Sequence, residues 1–221
     1  VTPLVTIFSG VGLSMLIAAP IGAAASQVGT LIMWATEQAP LVMGILVSVI
    51  VGVALTLPIS SAAICAALGL TGLAGGAAVA GCCAQMVGFA VMSYKENGVG
   101  GLVSQGLGTS MLQMGNIVKN PRIWIAPTLA SAITGPLATC VFHFEMNGAA
   151  VSSGMGTCGL VGQIGVYTGW VSDIAAGTKA AITPMDWAAM VLLCFVLPAV
   201  LSVIFCEIER KLGWIKEGDL K

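Results

Sequence analysis

The stretch Ser61–Tyr94, SAAICAALGLTGLAGGAAVAGCCAQMVGFAVMSY, carries no charged side chain from one end to the other. A helix crosses the hydrocarbon of a bilayer in about 20 apolar residues. This stretch is therefore too long for one simple crossing. Gly69, Gly72, Gly75 and Gly76 crowd its first half. They predict a short half-helix, a break near Gly72 to Gly76, and a span from about Ala77 to Tyr94. The run Ala74-Gly75-Gly76-Ala77-Ala78 has side chains small enough for backbones to approach closely, as membrane helices do.

The rest of the chain has the same character. Of its 221 residues, 57% are hydrophobic and 8% charged, and its mean hydropathy is +1.01. Soluble domains carry roughly a quarter charged residues, and so few charges cannot cover a water-facing surface of this size. Lipid removes the difficulty, because apolar side chains then face outward. The net charge of −1 offers no basic footprint for nucleic acid. Seven cysteines lie in or at the end of apolar stretches, an odd number without CxxC or Cys/His metal spacing. They read as small packing residues, with no disulfide framework, metal or cofactor expected. The chain opens on Val1 without a charged leader, so no signal peptide is read and further residues are expected upstream.

The sparse charges punctuate the sequence. Leu4 to Thr36 is charge-free with Pro20 and Gly22 in its middle, either one kinked helix or one broken at Ala19-Pro20-Ile21-Gly22. Pro40 to Leu57 is a clean span with Pro40 suited to a helix start. Gly98 to Val118 holds Gln105, Thr109, Ser110, Gln113 and Asn116 among its glycines. Irregular polar backbone at membrane depth is tolerated only where it lines a cavity or is buried in protein, so a re-entrant hairpin is expected. Ile123 to Phe142 is a span interrupted by Pro127 and Pro136. Gly148 to Val171, with Ser152, Ser153, Thr157 and Gln163, reads as a second re-entrant element. Trp187 to Phe205 is the last span.

These readings predict an all-α integral membrane protein with five to six spanning helices and two re-entrant Gly-rich hairpins. Residues 1–206 form its membrane-embedded unit and 207–221 a polar tail. Arg210, Lys211, Lys216 and Lys221 place that tail in the cytoplasm by the positive-inside rule. An echo links Gly106-Leu107-Gly108-Thr109-Ser110 to Gly154-Met155-Gly156-Thr157-Cys158, and repeated broken segments often build transporter sites.

The chemistry is expected in the stretch Gln105 to Arg122. Its glycines expose backbone N–H groups, and Thr109, Gln113, Asn116 and Asn120 supply donors and acceptors together, as polyhydroxylated ligands require. The alternative is amides that bind helices to one another. Thr157 and Gln163 offer similar groups on the second hairpin. His143, the sole histidine, and Glu145 are candidates by virtue of ionisable chemistry near an apolar run. Lys95, Glu96, Asn97, Lys119 and Arg122 would form a gate or mouth. No hydrolase elbow, phosphate loop or dinucleotide fingerprint occurs, and no Cys or His is arranged as a phosphoryl carrier.

Several blocks together carry a resemblance: Leu57-Pro58-Ile59-Ser60-Ser61-Ala62-Ala63, Gly81 to Tyr94 (GCCAQMVGFAVMSY), Lys95-Glu96-Asn97, Gly106 to Asn120 (GLGTSMLQMGNIVKN), Pro121-Arg122-Ile123-Trp124 and Gly154 to Gln163 (GMGTCGLVGQ). From about Pro20 to Phe205 the chain resembles the EIIC-type membrane components of the sugar phosphotransferase system, in their PfoR-like branch. The resemblance implies a dimeric permease domain for a small polar solute, a sugar, with a cytoplasmic EIIB-type partner as phosphoryl donor. It also implies a His and a Glu beside the sugar, and His143 and Glu145 are the only such pair. The PfoR-like branch implies an alternative, a membrane sensor or regulator that keeps the permease fold without transport. Any transferase activity would depend on the separate donor.

Overall fold

A chain immersed in lipid must bond every backbone N–H and C=O internally, which leaves helices as the simplest solution for a sequence without strand alternation. The computed structural model describes residues 2–221, with side-chain surroundings for Ile7, Val11 and residues 22–221. Among the described residues the regular elements are all helices.

The first is α1, Thr2–Gln38, 37 residues long and thus about 55 Å at 1.5 Å per residue. It runs through Pro20 without a break. Pro40–Thr56 forms α2, with Pro40 in its first turn. Ser61–Leu68 is the half-helix α3, capped by the Ser60 side chain. Gly72–Met92 is α4. The break between α3 and α4 falls at Gly69–Thr71, earlier than Gly72 to Gly76. Gly69 and Gly72 take the left-handed conformation there, with φ of 63° and 62°. Gly75 and Gly76 stay helical and serve packing instead: a Cβ on Gly76 would stand 1.6 Å from the Phe144 carbonyl oxygen.

Helix α4 is the axis of the molecule, buried along nearly its whole length. Its small residues admit neighbours on every side. A Cβ on Gly81 would collide with the Ser48 carbonyl of α2 at 2.0 Å. One end of α4 is fixed by reciprocal backbone bonds between Gly72 and Met146, both 3.0 Å. The other end leads into α5, Tyr94–Val103, and later α6, Met114–Lys119.

Pro121–Val141 forms α7. Pro127 and Pro136 do not divide it. Pro127 lies close to the helix start, and Pro136, which cannot donate, is followed by a wider π turn at Leu137–Val141. Ala150–Ser153 is α8 and Val161–Ala175 is α9. The last helix, α10, spans Pro184–Lys211. It starts at a Thr183/Asp186 capping box and carries a π turn at Leu192–Val196. It is longer at both ends than Trp187 to Phe205, so residues 207–211 of the expected tail are helical.

Among the described residues, α4, α7 and α10 are long and apolar enough to cross a membrane, and α2 is apolar but shorter. Large apolar side chains stay exposed around the outside, among them Val42, Leu46 and Ile50 on α2, Leu129 and Ile133 on α7, and Val200, Val203 and Ile204 on α10. Water would penalise so much exposed apolar surface, whereas hydrocarbon accepts it. The protein is a membrane protein.

Candidate functional site

The two polar, Gly-rich segments each leave one end of the bundle and return to it. In the first, α5 widens into a π turn at Ser104–Gly108, passes through extended Thr109, and comes back as a 3-10 turn and α6. Asn97 on the first arm donates to the Leu220 carbonyl at 2.6 Å. Gln113 on the returning arm donates to the same carbonyl at 3.0 Å. Both arms therefore meet the tail, at the end of the bundle where α4 finishes.

The second segment starts from the opposite end, beside the Gly72–Met146 pair. It runs inward through α8, turns at Gly154–Thr157, and returns along α9. Asn147 at its start donates to Asp173 near the end of α9, at 2.9 Å. Gly156 takes a φ of 53° at the turn, pressed against the Cys82–Cys83 backbone where a Cβ would come within 2.8 Å.

The tips touch. Thr157 Oγ1 donates to the Gly106 carbonyl at 2.5 Å, so the echoed motifs GLGTS and GMGTC meet from opposite ends. The likeness also extends further back, since Asn97-Gly98 opens the first segment and Asn147-Gly148 the second. Beside this contact, Ser110 Oγ lies 2.9 Å from Thr56 Oγ1.

The expected site residues fall into three groups. His143 and Glu145 line a cavity of about 510 Å³ at the end opposite the tail, with Asn147, Trp170, Asp173, Lys179 and Asp186. Glu145 accepts from Asn147 at 3.1 Å. His143 holds a φ of 43°, rare for a residue with a side chain. Lys179 pairs with Asp186 at 2.8 Å and lies over the Trp170 ring.

In the second group Thr157 and Gln163 belong to the second reversal. Gln163 donates to Cys83 Sγ at 3.2 Å, and its carbonyl oxygen is buried without a partner. Gln105 mirrors it, donating to Ser93 at 3.0 Å with its own carbonyl oxygen unpartnered. Thr109 caps the Met111 amide.

The third group lies at the tail. Asn116 donates to the Lys221 carbonyl at 2.8 Å and to Gln113 at 2.7 Å. Asn120 donates to the Trp214 carbonyl at 2.9 Å and to Asp219 at 2.8 Å. The mouth residues are mostly engaged too. Lys95 meets Glu207 at 2.6 Å, Glu96 meets Arg210 at 2.7 Å, and Arg122 stacks over Trp214. Lys119 is exposed at the end of α6.

One buried centre was not expected. Gln85 of α4 accepts from Trp124 Nε1 at 3.0 Å and Thr56 at 3.3 Å, and donates to Thr128 at 3.3 Å and Ser131 at 3.5 Å. Its signal was visible as the lone amide within the charge-free stretch.

A model of the family described as phosphotransferase system, EIIC, matches residues 1–221. The chain belongs to this family. No curated protein and no solved structure gives a match. EIIC membership accords with the membrane helices and agrees with the resemblance carried by the GLGTS and GMGTC blocks.

Proposed function

We propose that this EIIC-family protein carries a small uncharged polar solute, a sugar, through the membrane by opening alternately at its two ends. The observation that supports this most is the Gly106–Thr157 contact, where two reversals from opposite ends meet tip to tip. Such paired broken segments place a solute site near the bilayer midplane with half-helix ends facing it. The reading takes both reversals as re-entrant hairpins beside five spans, α1 and α2 together with the three clear ones.

The cavity at His143 and Glu145 serves as the entrance. Its carboxylates outnumber its single lysine, so it disfavours anions and admits neutral hydroxylated solutes. Gln105, Thr109, Gln113, Asn116, Asn120, Thr157 and Gln163 orient the solute further in. An EIIB-type partner approaches the tail end, on the cytoplasmic side, and donates its phosphoryl group to a sugar hydroxyl. The protein works as a homodimer, burying part of its apolar belt.

Uptake of labelled sugars into proteoliposomes, with and without the general phosphotransferase proteins, tests the proposal. Accumulation of one sugar is expected. Binding without uptake of any sugar would overturn it and favour the PfoR-like regulator. One observation favours that second reading: the amides at the tail end are occupied by the chain's own carbonyls.

A further inference from the structure

The residues that follow α10 are held more tightly than a solvated tail requires. Leu220 and Ile215 are 0% and 3% exposed, packed in one cluster with Phe89, Ile117 and Ile123. Four side-chain amides donate to this segment: Asn97 from the first arm of the first reversal, and Gln113, Asn116 and Asn120 from the returning arm. The segment thus ties together two arms that would otherwise be free to separate.

At the opposite end the two arms of the second reversal bond directly to each other, Asn147 to Asp173. Asn147 occupies the position equivalent to Asn97, but it donates to Glu145 and Asp173, close to its own reversal, and the cavity beside it stands open. Behind the tied end lies a hollow of about 400 Å³, lined by Asn97, Gln105, Gln113 and Lys221 among others. The tie has a chemical identity as well. Its acceptors are carbonyl oxygens on amide N–H donors, and the hydroxyl oxygens of a sugar would take the same donors.

We infer that residues 214–221 are a latch that closes the first reversal at the tail end, and that a hydroxylated solute competes with the latch for Asn97, Gln113, Asn116 and Asn120. The inference rests on the alternating-access reading above. It assigns the state described here: open at the His143 cavity, latched at the tail. Passage to the tail end requires the latch to lift, and solute reaching those amides lowers the cost of lifting it.

The test uses the full chain in vesicles with Ser110→Cys as reporter. Ser110 is 0% exposed at the tip of the reversal. It makes no bond to the tail, so loss of a merely structural tail would leave it covered. Labelling by a membrane-impermeant maleimide is followed by peptide mass. Asn97→Ala with Asn116→Ala should speed labelling on the order of tenfold, the effect of losing two modest hydrogen bonds. A chain stopped after Gly213 should label faster still, and the double variant keeps the test decisive if the shortened chain aggregates. Unchanged labelling in variants whose tail is released, as judged by hydrogen exchange, would overturn the latch. Labelling reports on the latch even if no sugar is taken up, so its failure is separate from failure of the transport reading.

Discussion

Gln85→Leu is the most informative single perturbation of the bundle. Gln85 is 0% exposed and joins α4 to α2 and α7 through four hydrogen bonds. Simple addition at about 1 kcal/mol each would predict a loss near 4 kcal/mol, but the partners do not all become orphans. Thr128 Oγ1 also donates to the Trp124 carbonyl at 2.7 Å, Ser131 Oγ to the Pro127 carbonyl at 2.9 Å, and Thr56 has Ser110 at 2.9 Å. Only the Trp124 indole N–H loses its acceptor outright. An unsatisfied buried donor costs about 1–3 kcal/mol, so a loss of about 2 kcal/mol is expected. Leu is close to Gln in volume, which keeps the cavity contribution small. The assay is reversible unfolding in mixed detergent micelles. A double-mutant cycle with Trp124→Phe sharpens it, because removing the donor should recover about 1 kcal/mol or more of the loss. Gln85→Leu at wild-type stability, or strict additivity with Trp124→Phe, would refute the reasoning.

Two further outcomes follow from the same geometry. Gly76→Ala places a methyl 1.6 Å from the Phe144 carbonyl oxygen; backbone cannot yield there cheaply, and a loss of about 3 kcal/mol is expected in the same unfolding assay, where a loss under half that size would count against the packing. Asp219 is held below the usual carboxylate range, chiefly by the Lys216 backbone N–H and then by the Asn120 amide. A lowered carboxyl contributes stability above its unfolded pKa of about 4 and loses it as pH falls through the lower folded value. Tail protection in hydrogen exchange should therefore persist at neutral pH and fade only in strong acid, and Asp219→Asn should remove that pH dependence.

The family and its solvent were legible without coordinates, yet the site was legible only in part. The GLGTS and GMGTC blocks stand where the structure breaks into short turns and helical pieces. Local composition suffices for that, because segments so rich in glycine and polar side chains make poor lipid-facing helices whatever surrounds them. The same residues did not reveal their partners. Nothing local to Asn116 and Asn120 foretold that their donors reach carbonyls about a hundred positions away. His143 and Glu145 looked like companions of those amides and lie at the other end of the bundle. The break after α3 was misjudged by a few residues, since glycine permits both a left-handed turn and a close helix contact. Only the position of the Phe144 carbonyl distinguishes them at Gly76.

By itself the sequence determined the solvent, the helical class and the two segments that had to be irregular. Charge content and apolar run length are additive along the chain, and the bilayer tests each segment separately. Tertiary structure alone decided that the two reversals enter from opposite ends and touch at Gly106 and Thr157, that Gln85 joins three helices, and that the tail lies across Asn97, Gln113, Asn116 and Asn120. Those are pairings between groups far apart in sequence. A hydrogen-bonding side chain has the same local signature whether its partner is a solute, a helix or its own tail, and only the packed fold selects among them.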